Sequence, residues 1–303
     1  MDLRRHWQEL FRHDQWCVGI VDAPIAAFLD PQFQPRVRWL PHPGRGGFYA
    51  DPFGHVTERG LTIYCELWQA RAGRGHLVAL DAAGSGPQPL LGMPAEVHLS
   101  YPYLIEEEGE LYCVPEAWES GEIALFRRTP AERPHWDFVA TLVPDFAGVD
   151  PTIFRHGGQW WLAATNQATD PHANLHLWHA PALRGPWTPH AANPVKRDPG
   201  SSRPAGTPFA AGGSLYRPAQ DCSATYGGAV VIQRVTRLTP SEFAEQTVAR
   251  IAPRPEWRWS HGLHTLAGVG NITLMDAKRV TFLPPAFRRV LRRKLHAWAA
   301  TPP

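Results

Sequence analysis

The chain has 303 residues, a formal charge of +2, and 44% hydrophobic against 19% charged residues. That is enough apolar mass for a packed core and too little basic excess for a general attraction to nucleic acid. Thirty-one Pro and 26 Gly predict many turns and few long helices, and no run of eighteen apolar residues offers a membrane span.

The first sixteen residues, MDLRRHWQELFRHDQW, carry charges but no apolar leader core or cleavage site, so a soluble, cytoplasmic protein is the expectation. "QWCVGIVDAP" (15–24) reads as a strand. The hairpin "FYADPFGHVTERGLTIYCELW" (48–68) follows, then an outer strand at "HLVAL" (76–80). The same order recurs in "HLSYPYLIEEEGELYCVPEAW" (98–118) with "IALFRR" (123–128). It recurs again in "GVDPTIFRHGGQWWLAATN" (148–166) with "LHLWHAP" (175–181). A fourth copy, "SRPAGTPFAAGGSLYRPAQD" (202–221), precedes "GAVVIQRVTRL" (228–238), and a weaker fifth is "GLHTLAGVGNITLMDAKR" (262–279), where His264 takes the lead position and no proline follows. Each of the first four copies runs from a polar or small residue through X-Pro into an aromatic or aliphatic strand, a Gly turn and an aromatic return strand. The four cysteines, Cys17, Cys65, Cys113 and Cys222, show neither CxxC spacing nor scaffold density and read as reduced core residues. The tail, "PPAFRRVLRRKLHAWAATPP" (284–303), reads as a short basic amphipathic helix able to lie on an anionic membrane, dock on a partner, or cover one face of the fold.

The X positions Asp51, Tyr101 and Asp150 are 50 and 49 residues apart, and Arg203 stands 53 further on. Five strand-rich units of about fifty residues predict an all-β, five-bladed β-propeller over 1–283, the 15–24 strand joining the last blade to close the ring. A β-sandwich or a solenoid accounts less well for so long a period. In a propeller the innermost strand of each blade lines the central channel, so the X residues share one mouth. The antiparallel return strand comes back to that mouth: Asp51 to Glu66, Tyr101 to Glu116 and Asp150 to Thr165 are each 15 residues, with Asn166 beside the last. The fourth unit brings Gln220 and Asp221. Carboxylates converging on a funnel ringed by Trp and Tyr are suited to glycosidic bonds.

Plainer readings stand beside these. An Asp before Pro can simply cap a turn. Glu119 and Glu122, near the "ESGE" turn, read as solvated, and at least one of Trp160 and Trp161 belongs to the core. Trp68 and Trp118 follow the strand ends and could stack on a sugar or pack. There is no HExxH, dense His/Cys cluster, GxSxG, GxGxxG or P-loop, so no metal or nucleotide cofactor is expected.

Nine runs in order, "HLSYPYL", "VPEAW", "VDPTIF", "WWLAATN", "GPWTPHAANPV", "SRPAG", "LYRPAQDC", "YGGAVVI" and "GLHTL", resemble the N-terminal domain of plant glucosamine inositolphosphorylceramide transferase and its stand-alone bacterial relatives, over roughly residues 15–280. That domain is related to the five-bladed glycosidases of glycoside hydrolase families 43, 32, 62 and 68. In plants it accompanies a separate glycosyltransferase domain, whose activity the resemblance does not carry over. Against family 43, "ADPFG" implies Asp51 as general base and "VDPTIF" implies Asp150 as the acid that tunes pKa and orients substrate. The usual blade-four general acid is replaced by Arg203, which leaves Glu116 as best substitute and Glu66 as second. His264 resembles a channel histidine that some of these enzymes keep near a bound cation.

The expected catalytic set is therefore Asp51, Glu116 and Asp150, with Glu66, Tyr101, Trp118, Asn166, Arg203, Gln220, Asp221 and His264 binding substrate. Arg203 could hold a neighbouring carboxyl ionised or grip a carboxylate or phosphate on the ligand. Two functions follow. One is a hydrolase-like enzyme of polysaccharide or glycolipid metabolism that cleaves or transfers a glycosyl unit, such as a furanoside or an acidic sugar. The other is a silent glycan-recognition module that assists a separate glycosyltransferase. The partner in either case is a carbohydrate or glycoconjugate, with membrane or glycosyltransferase contact through the tail.

Overall fold

Each X-Pro hairpin forms the inner half of one blade in the computed structural model, which describes residues 12–44, 46–130 and 135–282. Blade one runs outward through Gly47–Thr57, Gly60–Gln69, Arg74–Asp81 and Gln88–Pro89. Blade two is Ser100–Glu107, Glu110–Glu116, Ile123–Arg128 and Trp136–Val143. Blade three is Gly148–His156, Gln159–Asn166, Asn174–Ala180 and Thr188–Pro189, with Lys196–Arg197 as a further short pairing. Blade four is Phe209–Ala211, Ser214–Asp221, Ala229–Leu238 and Phe243–Ile251.

The fifth blade joins the two ends of the described chain: Leu266–Val269 and Ile272–Phe282 pair outward onto Arg12–Val21 and then Val37–Trp39. The closing ladder runs in antiparallel register from Arg12↔Phe282 to Val21↔Thr273. The expected architecture and its closure by the N-terminal strand are both observed. Residues 284–303, expected to be helical, lie outside the described residues.

Blades pack face to face, so their middle strands are covered on both sides. Gln159–Asn166 is buried at every position except its two ends, and Trp160 and Trp161 both belong to the interior. One apolar cluster joins blades one to three through Phe53, Tyr101, Val114, Ile153 and Leu162; a second joins blades four and five through Ile232, Trp259, Leu266 and Met275. The cysteines are free, three of them buried and Cys222 half-buried.

The X-Pro dipeptides of blades one to three are β-bulges, whereas Arg203-Pro204 precedes the first strand of blade four. The ladder skips from Ala50 to Phe53, from Ser100 to Tyr103 and from Val149 to Thr152, and the skipped X residues take left-handed backbone at φ 52°, 45° and 49°. Proline fits there because it has no N–H to give a ladder. Asp enters this region more readily than most residues. Tyr does not, and Tyr101 is held by its hydroxyl: Gly206 N–H donates to it at 2.7 Å, and it lies 2.8 Å from Thr152 Oγ1, which in turn donates to the Asp150 carbonyl at 3.1 Å. Tyr101→Phe leaves a buried amide unsatisfied, so we expect it to lower stability by about 1–3 kcal/mol, read as a shifted urea midpoint with an unchanged slope.

Candidate active site

The bulges matter because they turn a backbone N–H out of the ladder, and a carboxylate from the neighbouring blade accepts it. Asp51 N–H donates to Asp276 Oδ2 of blade five at 2.9 Å, and Asp150 N–H donates to Glu116 Oε2 of blade two at 2.9 Å. The return strands deliver these acids as the hairpin spacing anticipates, with Glu66 opposite Ala50 and Glu116 opposite Ser100. Glu116 thereby acquires a structural duty that sequence reasoning did not assign.

Two cations divide the carboxyls between them. Arg203 Nε donates to Asp150 Oδ2 at 2.6 Å, and its Nη2 lies 3.8 Å from Glu116 Oε2. Gln220 Nε2 donates to the same Asp150 oxygen at 2.7 Å, and the Tyr226 ring faces the guanidinium at 4.9 Å. On the other side His264 Nδ1 lies 2.8 Å from Asp276 Oδ2, and His264 Nε2 lies 3.7 Å from Asp51 Oδ1. Thr265 completes this half, its hydroxyl donating to Asp51 Oδ1 at 2.9 Å and its N–H to Asp276 Oδ1 at 3.0 Å. Trp16 lies flat on the His264 ring at 3.7 Å.

Electrostatics follow from that division. Burial disfavours the His264 imidazolium, but Asp276 and Asp51 outweigh it and hold the ring above its ordinary value. Burial pushes Asp51 up to about 6, against the lowering effect of His264. Asp150 is likewise pushed up by burial, to about 7, with Arg203 pulling down and Glu116 pushing up. Glu66 has no cation bonded to it: burial, followed by the like charges of Asp51 and Glu116, holds it well above the carboxylate range. His98 Nε2 lies 3.5 Å from its Oε1.

Side-chain exposure decides which groups a ligand can reach. Asp51, Glu66 and Glu116 keep 7% of their surface and Arg203 9%, while Asp150 and His264 keep 2% and Asp276 none. Tyr101 and Gln220 are fully buried, so both support the funnel floor and do not line it, contrary to the substrate-binding expectation. Asn166 Oδ1 accepts the Ala168 N–H and shapes a turn, and Asp221 is engaged with Ser223 and Arg250. Trp118 stands half-buried at the head of the short 3-10 turn Trp118–Ser120. Of the two roles expected for Arg203, holding a neighbouring carboxyl or gripping an anionic ligand, the geometry matches the first: its Nε is bonded to Asp150.

Asp51, His264 and Asp276 are the three described residues whose ligand atoms could meet on one cation, within 4.8 Å. Asp276 already accepts the backbone N–H groups of Asp51, His264 and Thr265 and faces His264 Nδ1, so its oxygens are engaged within the protein.

Sequence reasoning missed Asp276, Thr265, Tyr226 and His172, the last with Nδ1 3.5 Å from Arg203 Nη1. Asp276 is 12 residues beyond His264, so the 15-residue spacing passes over it.

Comparison with known proteins gives a consistent result. Residues 42–260 match the sequence profile described as glucosamine inositolphosphorylceramide transferase 1, N-terminal. The glucosamine inositolphosphorylceramide transferase 1 of Oryza sativa subsp. japonica is 33% identical over 261 residues, covering 78% of this chain and 34% of the rice protein. Its namesake in Arabidopsis thaliana is 30% identical over 210 residues, covering 66% and 27%. The chain thus spans about a third of the plant relatives' length. Among solved structures, the catalytic domain of a Coprinopsis cinerea GH62 α-L-arabinofuranosidase superposes with a TM-score of 0.54 at 11% identity, covering 80% of this chain and 95% of that one. A family 117 glycoside hydrolase of Zobellia galactanivorans gives 0.51 at 13% identity, covering 76% and 84%. At such identities the likeness is one of fold.

Proposed function

The chain belongs to the family of the N-terminal part of glucosamine inositolphosphorylceramide transferase 1, and from that premise we propose that its funnel takes a carbohydrate or glycoconjugate and cleaves or transfers a glycosyl unit, with Asp51 as base and Glu66 as proton donor. The carrying observation is the unequal sharing of cations. Arg203 serves Asp150 and Glu116, His264 serves Asp276 and Asp51, and Glu66 has neither. Burial and the like charges around it favour the protonated form of Glu66, while Asp51, titrating near 6, is mostly ionised at neutral pH.

That pair matches the chemistry. Glu66 gives its proton to the leaving glycosidic oxygen as the C–O bond breaks, and Asp51 removes a proton from the attacking water or acceptor hydroxyl as the new C–O bond forms. Glu116, the first substitute on sequence grounds, already accepts the Asp150 N–H and has Arg203 Nη2 3.8 Å from the same oxygen, an engagement that suits a supporting role. Asp150 supports likewise, fixing Arg203 and the funnel floor.

A recognition module that works beside a glycosyltransferase is the second reading, favoured by Arg203 standing in place of the expected acid. The experiment is a glycan-array screen of the intact protein, followed by product analysis on each ligand found. Release or transfer of a sugar supports the enzyme; tight binding with no product over days hands the site to recognition.

A further inference from the structure

We propose that His98 is the positioning residue for Glu66: a neutral imidazole that donates its Nε2–H to Glu66 Oε1 and leaves the acidic proton on Oε2 for the funnel. The inference rests on the reading of Glu66 as proton donor. His98 opens the "HLSYPYL" run, and nothing in the site so far has used it.

The ring is fixed from two sides. Gly75 N–H donates to His98 Nδ1 at 2.9 Å, and the His98 N–H donates to Glu119 Oε2 at 2.8 Å. A ring nitrogen that accepts a backbone N–H carries no hydrogen, so the neutral ring's hydrogen sits on Nε2, the atom 3.5 Å from Glu66 Oε1. Contacts of this kind are long in the free enzyme and tighten in the reacting complex. Gly75 makes the arrangement possible, because a β-carbon there would stand 2.1 Å from Glu66 Oε1 and 2.6 Å from the Leu99 carbonyl. The same residue therefore orients the imidazole and leaves room for the carboxyl.

The charges around both groups agree. Asp51, Glu116, Asp276 and Asp150 surround Glu66 and oppose its ionisation. Burial, with His76 and Arg74 adding to it and Glu119 opposing, keeps His98 below its ordinary value and so neutral. When Glu66 has given up its proton, the new carboxylate has no cation bonded to it, and the His98 N–H is the donor placed to receive it. His98 keeps 25% of its side-chain surface, so the ring also stands between the buried carboxyl and solvent.

The test uses the intact chain and needs no turnover for its first part. In the wild type, long-range 1H–15N spectra should show His98 as the Nε2–H tautomer, with the Nε2 shift moving at the pH where the Glu66 side-chain carbon titrates. His98→Leu removes the donor and should move the Glu66 titration upward by a pH unit or more. His98→Gln, which keeps an N–H near the Nε2 position, should restore it. If a glycan substrate is turned over, His98→Leu should also shift the alkaline limb of kcat upward and lower kcat at least tenfold with KM unchanged. An Nδ1–H tautomer in the wild type, or a Glu66 titration indifferent to both substitutions, would overturn the proposal. Absence of turnover in a protein that passes the spectroscopic test would count against Glu66 as a catalytic acid and leave the His98 contact standing.

Discussion

Asp51→Asn and Glu66→Gln should each reduce turnover by about 10²–10⁴-fold on whatever glycan the protein first proves to process, and both should raise thermal stability at pH 8. The two effects share one cause. Burial lifts Asp51 from its ordinary 3.8 to about 6, so the folded state holds a proton that the unfolded chain has already released between those values. Stability from this group is complete below about pH 4 and is lost as pH rises through 6, an amount on the order of 3 kcal/mol. Asparagine removes the charge, keeps the oxygen that accepts from Thr265, and so removes that loss. The Tm advantage of Asp51→Asn over wild type should grow from pH 4 to pH 7 and then level off. Glu66→Gln should behave alike, because burial and like charges hold Glu66 well above its ordinary value too. Turnover in the wild type should rise as Asp51 ionises near pH 6 and fall again where Glu66 loses its proton, and the acid limb should vanish in Asp51→Asn. A variant that loses turnover and stability together at pH 8 would show that the carboxyl braces the fold and would remove it from the mechanism.

Arg203→Ala should cost about 3–5 kcal/mol of stability, because it removes the guanidinium placed between two buried carboxyls. The penalty must depend on pH. Arg203 holds Asp150 down against burial, so the variant's Asp150 titrates above the wild-type value near 7. Below that value the carboxyl is protonated and asks little of the missing guanidinium. Urea midpoints of variant and wild type should therefore differ most at pH 8 and converge toward pH 5.5. An equal gap at both pH values would mean that the Arg203 stem packs without compensating charge. Arg203→Ala also separates two ideas that the sequence leaves tied together. If the guanidinium gripped anionic ligands, the variant would lose charged glycans selectively; engaged as it is with Asp150, its loss should weaken charged and neutral glycans alike.

The fold was legible because each blade repeats one grammar, and X-Pro marks a bulge that a regular strand does not tolerate. The 15-residue spacing located Glu66 and Glu116 because those hairpins share a length. It failed at Asp276, whose hairpin is shorter and lacks the proline, and it was silent on Thr265, which looks like any strand threonine. Glu116 was legible as a position but not as a function: the amide it accepts belongs to a bulge 34 residues away, and no local pattern announces a backbone donor turned out of its ladder. For Arg203 the sequence left two roles open, since an arginine's partners are set by the ring and not by its neighbours in sequence; the structure pairs it with Asp150. Tyr101 fills the X position of blade two as the repeat requires, yet its hydroxyl reaches Gly206, and only the closed ring reveals that it braces the floor.

The ladder between residues 12–21 and 273–282 places the closing seam of the propeller beside its chemistry. Trp16, from the Arg12–Val21 strand, lies on His264, and Asp276, from the Ile272–Phe282 strand paired with it, accepts the Asp51 N–H. Four blades can form from local hairpins as they are synthesised, but this pairing spans nearly the whole described chain and carries the greatest loop-closure penalty in the molecule. Completion of the site consequently depends on the pairing with the largest sequence separation among the described strands. Until the two ends meet, a nascent chain has Asp51 on a bulge with no acceptor and no imidazole beside it, so the unfinished protein carries the acids of the funnel without their working arrangement.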